Sequence, residues 1–203
     1  MIKVGLYMKI IAATSNAGKI KEIKKIFADD NLEILSMGEI GIDIEIEENG
    51  TTFEENALIK ARTISKMTGE IALADDSGLC VDAMGGAPGI YSARYAGEDA
   101  TDAQRIEKLL GELLGEENRK AKFVSVIAVV FPDGRELTAD GEVYGQIADK
   151  VCGEGGFGYD PVFISDELGK TFGVATIEEK NSISHRARAL NTMYNKIKEN
   201  GLL

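Results

Sequence analysis

Ala72-Leu73-Ala74-Asp75-Asp76-Ser77-Gly78 decides how the chain is read, because an apolar run ends there in two adjacent carboxylates, a hydroxyl and a glycine. Ile71 to Ala74 has the length of a short buried strand, and Asp75-Asp76-Ser77-Gly78 carries the turn chemistry that would end it. In open α/β sheets the ligand crevice lies beyond the carboxyl ends of the strands. Carboxylates placed there suit a divalent cation held by oxygen ligands. The competing reading is a turn in which Asp75 or Asp76 only accepts bonds from nearby backbone amides. On the first reading Asp76 is the working carboxylate and Asp75 serves the turn.

Working outward toward the N-terminus, Thr52-Phe53-Glu54-Glu55 fits a capping box, and Phe53, Ala57, Ala61 and Ile64 follow as one apolar stripe before Gly69. Asn56 and Lys60 share a different face of that helix. Leu32 to Glu45 reads as extended, with a turn at Gly38 to Gly41, and leads into the acidic group Glu45, Glu47 and Glu48. Met8 to Thr14 is a complete first strand, and Lys19 to Phe27 is helical by the spacing of Ile20, Ile23 and Phe27. Residues 1–7 therefore read as an extension to one domain spanning 8–203.

Toward the C-terminus, Gly85 to Gly89 is a loop, and Thr101-Asp102-Ala103-Gln104 caps a helix. Ile106, Leu109, Leu110, Leu113 and Leu114 give that helix a core stripe. Phe123 to Phe131, Pro132-Asp133-Gly134 and Arg135 to Ala148 read as a long antiparallel hairpin. A glycine loop from Gly153 to Pro161 precedes a short strand at Val162 to Ile164. A last helix runs from about Ser184 to Glu199. Strands alternating with helices make the chain α/β.

At 203 residues the chain is long enough to bury ~70 % of its unfolded surface. With 34 acidic against 23 basic residues and a net charge of -11, a nucleic-acid polymer is excluded as a natural partner, since such binding rests on basic groups neutralising phosphates. A small anion carried with Mg²⁺ is compatible. Cys80 and Cys152 show no metal-ligand spacing and read as reduced thiols of a cytoplasmic protein. No run approaches the ~20 apolar residues of a membrane span.

Thr14-Ser15-Asn16-Ala17-Gly18-Lys19 ends in Gly-Lys at a helix start, where backbone amides and the helix dipole favour an anion. It is no Walker A loop, because Ala13 stands where that motif has glycine and Ile20 where it has Ser or Thr. Metal for a bound triphosphate must then come from carboxylates, and Glu48 and Asp76 are the candidates. Asn56 and Lys60, four residues apart, could reach the same phosphates or form a solvated face. Phe157 and Tyr159, among glycines that admit close backbone approach, could stack on a base or pack under the loop. His185, the only histidine, adjoins Arg186 and could be structural or supply donors to a base or phosphate.

Taken together, Thr14 to Lys19, Thr52 to Ala57, Ala74-Asp75-Asp76-Ser77-Gly78-Leu79, Gly85 to Tyr95, Gly155 to Pro161 and Ser184-His185-Arg186 resemble the inosine/xanthosine triphosphate pyrophosphatases. The match runs in order from Met8 to the last helix. The resemblance implies two α/β lobes flanking a long central mixed sheet with the nucleotide in the cleft between them, and a homodimer. It implies hydrolysis of ITP, dITP and XTP to the monophosphate and pyrophosphate, which keeps deaminated purines out of DNA and RNA. Carried over by position, Thr14, Ser15, Asn16, Ala17, Gly18 and Lys19 bind substrate, as do Ser77, Phe157, Gly158, Tyr159, Asp160, Lys180, His185 and Arg186. Glu48 and Asp76 hold Mg²⁺, and Asp76 is the proton acceptor. A related pyrophosphatase of the Maf type is disfavoured by the missing Ser-Pro-Arg-Arg signature. A sensor that holds a triphosphate without cleaving it is disfavoured by the presence of both Glu48 and Asp76.

Overall fold

The computed structural model describes residues 8–28 and 32–200, so the expected extension at 1–7 lies outside the described residues. Five α-helices and six strands alternate among these residues, α1 at Ala17–Ile26, α2 at Phe53–Thr68, α3 at Asp102–Glu112, α4 at Ile177–Ile183 and α5 at His185–Glu199. The strands are β1 at Met8–Ala12, β2 at Leu32–Ser36, β3 at Ile71–Val81, β4 at Lys120–Val130, β5 at Glu136–Ile147 and β6 at Phe163–Ser165. They pair in the order β2-β1-β3-β4-β5-β6. β1 is parallel to β2 and β3, whereas β5 and β6 are antiparallel, so the sheet is mixed as expected.

The chain divides into two compact units. The first takes the chain up to Asp76, Val126–Asp140 and the chain from Arg186 onward. Its central strands β1 and β3 are buried on both sides, and the period-two alternation of side chains sorts them onto two faces. Ile10, Ala12, Leu73, Ile127 and Val129 face one core with Ile23 and Phe27 at α1 and Leu190, Met193 and Ile197 of α5. Their neighbours Ile11, Ala13, Ala72, Ala74, Val126 and Ala128 face the other with Ala57, Ala61 and Ile64 of α2. That second face is rich in alanine, which lets α2 lie close to the strand backbone. A lysine on α2 is thereby brought within reach of main-chain oxygens.

The second unit takes Ser77–Ser125 and Gly141–His185. Ile106, Leu109 and Leu113 pack with Leu79, Val81, Phe123, Phe163 and Phe172 in one core. Phe123 and Phe163 lie 4.6 Å apart, and His185 stacks flat on Phe123 at 4.7 Å.

The structure corrects two sequence expectations and adds a helix. Asp75 to Gly78 does not end the strand, because β3 runs unbroken from Ile71 to Val81. Leu114 is 89 % exposed, since α3 stops at Glu112 and the helical spacing no longer governs where it points. α4 was unforeseen, although Thr176 and Glu179 form a full capping box at its start.

Candidate active site

Strand alternation fixes the two carboxylates. Asp75 continues the face of Leu73, toward α1 and α5, and Asp76 continues the face of Ala74, toward α2. Each meets cations from the helices on its own side, so both remain in a strand instead of competing for backbone amides as turn residues do.

On the α2 side, Lys60 Nζ donates to Asp76 Oδ1 at 3.0 Å and to the Asp75 carbonyl at 3.0 Å. It also pairs with Glu48 Oε1 at 2.7 Å. An ammonium has three protons to donate, and all three are spent. Lys60 is only 8 % exposed, so the solvated-face reading fails, and its three contacts are all to protein oxygens. Although burial alone would lower its pKa, the carboxylates of Asp76 and Glu48 hold it above the ordinary lysine value. Burial pushes the Asp76 carboxyl up, against the opposing charges of Lys60 and Lys19. The cause is visible in the geometry: Asp76 Oδ2 is buried with no hydrogen-bond partner. Asn56, also fully buried, accepts from the Gly50 amide at 2.9 Å through Oδ1, while its Nδ2 has no partner. An unused acceptor and an unused donor thus lie within the first unit.

On the other face, the Arg186 guanidinium donates through Nε to Asp75 and through Nη1 to Glu22 Oε2 at 2.7 Å. The Arg186 and Asp75 side chains are 2 % and 0 % exposed. Lys19 Nζ lies 3.5 Å from Asp75 Oδ1 and 3.3 Å from the Asp75 carbonyl. Burial lowers its pKa, with Arg186 and Lys60 adding to that effect and Asp75 opposing it. Asp75 is therefore a buried anion between two cations and not a turn residue. Glu22 was missed by the sequence reading; on an exposed-looking stretch of α1, nothing marks it except its place one residue before the buried Ile23.

The loop before α1 departs from expectation in one respect. Asn16 caps the helix, and its Oδ1 accepts from the Gly18 and Lys19 amides at 2.9 and 3.1 Å. Those two amides thus already have a partner in the Asn16 side chain. Thr14 Oγ1 in turn accepts from the Asn16 amide at 3.2 Å, while Ser15 and Ala17 lie exposed beside it.

The second unit carries the glycine loop. Asp160 Oδ2 accepts from the Phe157 amide at 2.8 Å and from Lys180 Nζ at 2.6 Å. Lys180, brought inward by α4, stands 4.6 Å from the centre of the Phe157 ring. The Tyr159 hydroxyl donates to the Ser92 carbonyl at 2.9 Å, so Tyr159 is a packed aromatic, 4 % exposed, while Phe157 keeps more of its ring open. His185, 4 % exposed on Phe123, is likewise built into the core of this unit, and Ser77 opens the same unit on β3.

Two glycines flanking Phe157 make this geometry possible in different ways. Gly156 (φ 75°) would place a Cβ 2.0 Å from Asp160 Oδ2, whereas Gly158 (φ 62°) has open space around it. Gly158→Ala should therefore cost only the left-handed backbone, roughly 1–2 kcal/mol. Gly156→Ala should cost about 1 kcal/mol more, because it also drives Asp160 off the Phe157 amide. Thermal unfolding of both variants checks the order, and equal losses would mean that Asp160 can move aside freely.

A sequence model of the Ham1 family matches residues 10–196. The chain is 52 % identical over 198 residues to a dITP/XTP pyrophosphatase of Clostridium perfringens, covering 94 % of this chain and 97 % of that one. It is 50 % identical to the dITP/XTP pyrophosphatase of Bacillus subtilis, covering 89 % and 92 %. Among solved structures, the Ham1 protein of Staphylococcus aureus superposes with a TM-score of 0.86 at 43 % identity, covering 95 % of this chain and 99 % of that one.

Proposed function

The chain belongs to the Ham1 family, and on that premise we propose that it hydrolyses the deaminated purine triphosphates ITP, dITP and XTP to the monophosphate and pyrophosphate. One observation carries this reading beyond family membership. Glu48 and Asp76 are gathered on one ammonium, and a buried Asp76 oxygen is left without a partner. That donor set suits Mg²⁺, which is commonly held by one or two carboxylates with waters and substrate phosphates completing its shell.

Glu48 and Asp76 would hold the ion, which when bound supplies neutralisation of charge on the phosphate oxygens. Lys60 keeps these two carboxylates together and offsets their mutual repulsion, a positioning role rather than a phosphate contact. Lys19 brings a cation from α1, and Asn56 Nδ2 is a donor waiting for an acceptor such as a phosphate oxygen. Asp76 takes the proton of the attacking water. A bond forms from that water's oxygen to the α-phosphorus, the bond to the bridging oxygen breaks, and pyrophosphate leaves with the electron pair. In the second unit, the Phe157 ring offers a stacking face for the base, and Asp160 and Lys180 fix the backbone beside it. We further take the enzyme to be a cytoplasmic homodimer, as the resemblance implies.

Pyrophosphate release measured across purine triphosphates tests the reading. ITP, dITP and XTP should be cleaved at least ~10²-fold more efficiently than ATP or GTP, a ratio attainable when a site pairs the polar edge of one base and not another. Chelation of divalent metal should abolish release, and Mg²⁺ should restore it. Phosphate appearing in place of pyrophosphate, or full activity in excess chelator, would overturn the proposal.

A further inference from the structure

We propose that Asp102, the first residue of α3, is a positioning residue for base recognition, acting through the backbone of the Phe157 loop. This rests on the reading that Phe157 receives the base.

An aspartate at the first position of a helix ordinarily needs no explanation beyond the helix dipole, and Thr101 with Gln104 already caps this one fully. Asp102 nevertheless uses both its oxygens elsewhere. Oδ2 accepts from the Gly158 amide at 2.7 Å, 56 residues away in sequence, and Oδ1 pairs with the Arg105 guanidinium. Arg105 is itself anchored, donating from Nη1 to the Ala93 carbonyl at 2.7 Å and to the Ala100 carbonyl at 2.5 Å. The carboxylate is thus held from behind while it grips the loop in front.

The loop has reason to need that grip. Phe157 lies between two glycines of left-handed conformation, residue types that give up the most freedom on ordering. Consecutive amides are each met by a carboxylate, that of Phe157 by Asp160 and that of Gly158 by Asp102. Asp160 ties the Phe157 amide to Lys180 of α4, and Asp102 is the separate clamp that fixes the Gly158 amide to α3. Packing does not substitute for it here. Phe157, Gly158 and Asp102 line a cavity of ≈ 530 Å³ together with Ile106, Leu110 and Pro161, so this side of the loop is backed by open space and not by core.

The clamp sets where the Phe157 ring stands and should matter to ligands that carry a base. Titration calorimetry with inosine monophosphate and with inorganic tripolyphosphate separates that role from general damage. In the full chain, Asp102→Ala should weaken inosine monophosphate about tenfold and leave tripolyphosphate within about twofold, the scale of one lost charge-assisted hydrogen bond. Asp102→Asn, whose amide oxygen can still accept from Gly158, should recover most of the loss. If Asp102→Ala does not fold, Arg105→Gln, which frees the carboxylate from behind, should show the same selective weakening by about threefold. Unchanged affinity for inosine monophosphate, or equal weakening of both ligands, overturns the role of Asp102. Wild-type protein that does not bind inosine monophosphate overturns the nucleotide reading itself, and this inference with it.

Discussion

Asp76→Asn is expected to lower kcat for dITP by at least ~10², with KM changed far less. The substitution is nearly isosteric, and Lys60 can still find an oxygen at the position it now occupies. Two things are lost. A negative charge disappears from the pair that would hold the metal, and the buried oxygen without a partner, Oδ2, can become an amide that donates instead of accepting. Lys19 and the start of α1 survive to hold phosphate, so the damage falls on the transition state more than on binding. The comparison variant is Glu47→Gln, one residue from Glu48 and exposed, which should keep nearly full activity. Rates at saturating Mg²⁺, with circular dichroism confirming the fold, decide the matter. A loss smaller than tenfold at Asp76 would show that another group accepts the proton and that its charge is dispensable.

How far the sequence foretells this site depends on the kind of inference required. Glu48, Asp76 and Lys19 stand out in the sequence because their residue types and neighbours would suit a metal and a phosphate, and the structure brings Glu48 and Asp76 onto one lysine. The α/β alternation, the capped starts of α2 and α3 and the β4 to β5 turn are legible because local chemistry determines them. The burial of Lys60 and Asn56 is not legible. It depends on alanines at 57, 61, 72 and 74 letting α2 settle close to β3, a fact about two elements together and not about either stretch. Asp102 illustrates the same limit, since its cap context gives a complete local explanation and its partner lies 56 residues away.

The misreading of Asp75-Asp76-Ser77-Gly78 has a clear physical origin. These residue types favour turns because their side chains compete for backbone amides when nothing better is at hand. Inside this unit something better is at hand on both faces, Arg186 and Lys19 for Asp75 and Lys60 for Asp76. The strand therefore continues, and two residues that looked like a catalytic aspartate with a passive neighbour become two buried anions pointing opposite ways. The expectation for Asp75 changes with it.

Asp75→Asn should therefore behave as a severe stability variant. The amide keeps the shape but removes the charge facing Arg186 and Lys19, and Arg186, which cannot shed its proton, stays buried with Glu22 still paired to it. Breaking a buried pair by removing one member typically costs about 3–5 kcal/mol, roughly 10 °C in thermal midpoint for a chain of this size. Arg186→Met alone should also be costly, because Asp75 then loses its guanidinium partner while the longer contact to Lys19 stays. The double variant Asp75→Asn with Arg186→Met should lose clearly less than the two single losses combined, since neither charge of the pair is stranded. Denaturant unfolding of all four proteins yields the coupling. Strict additivity within about 0.5 kcal/mol would mean that the pair contributes nothing as a pair, and that Asp75 is held in the strand by the backbone alone.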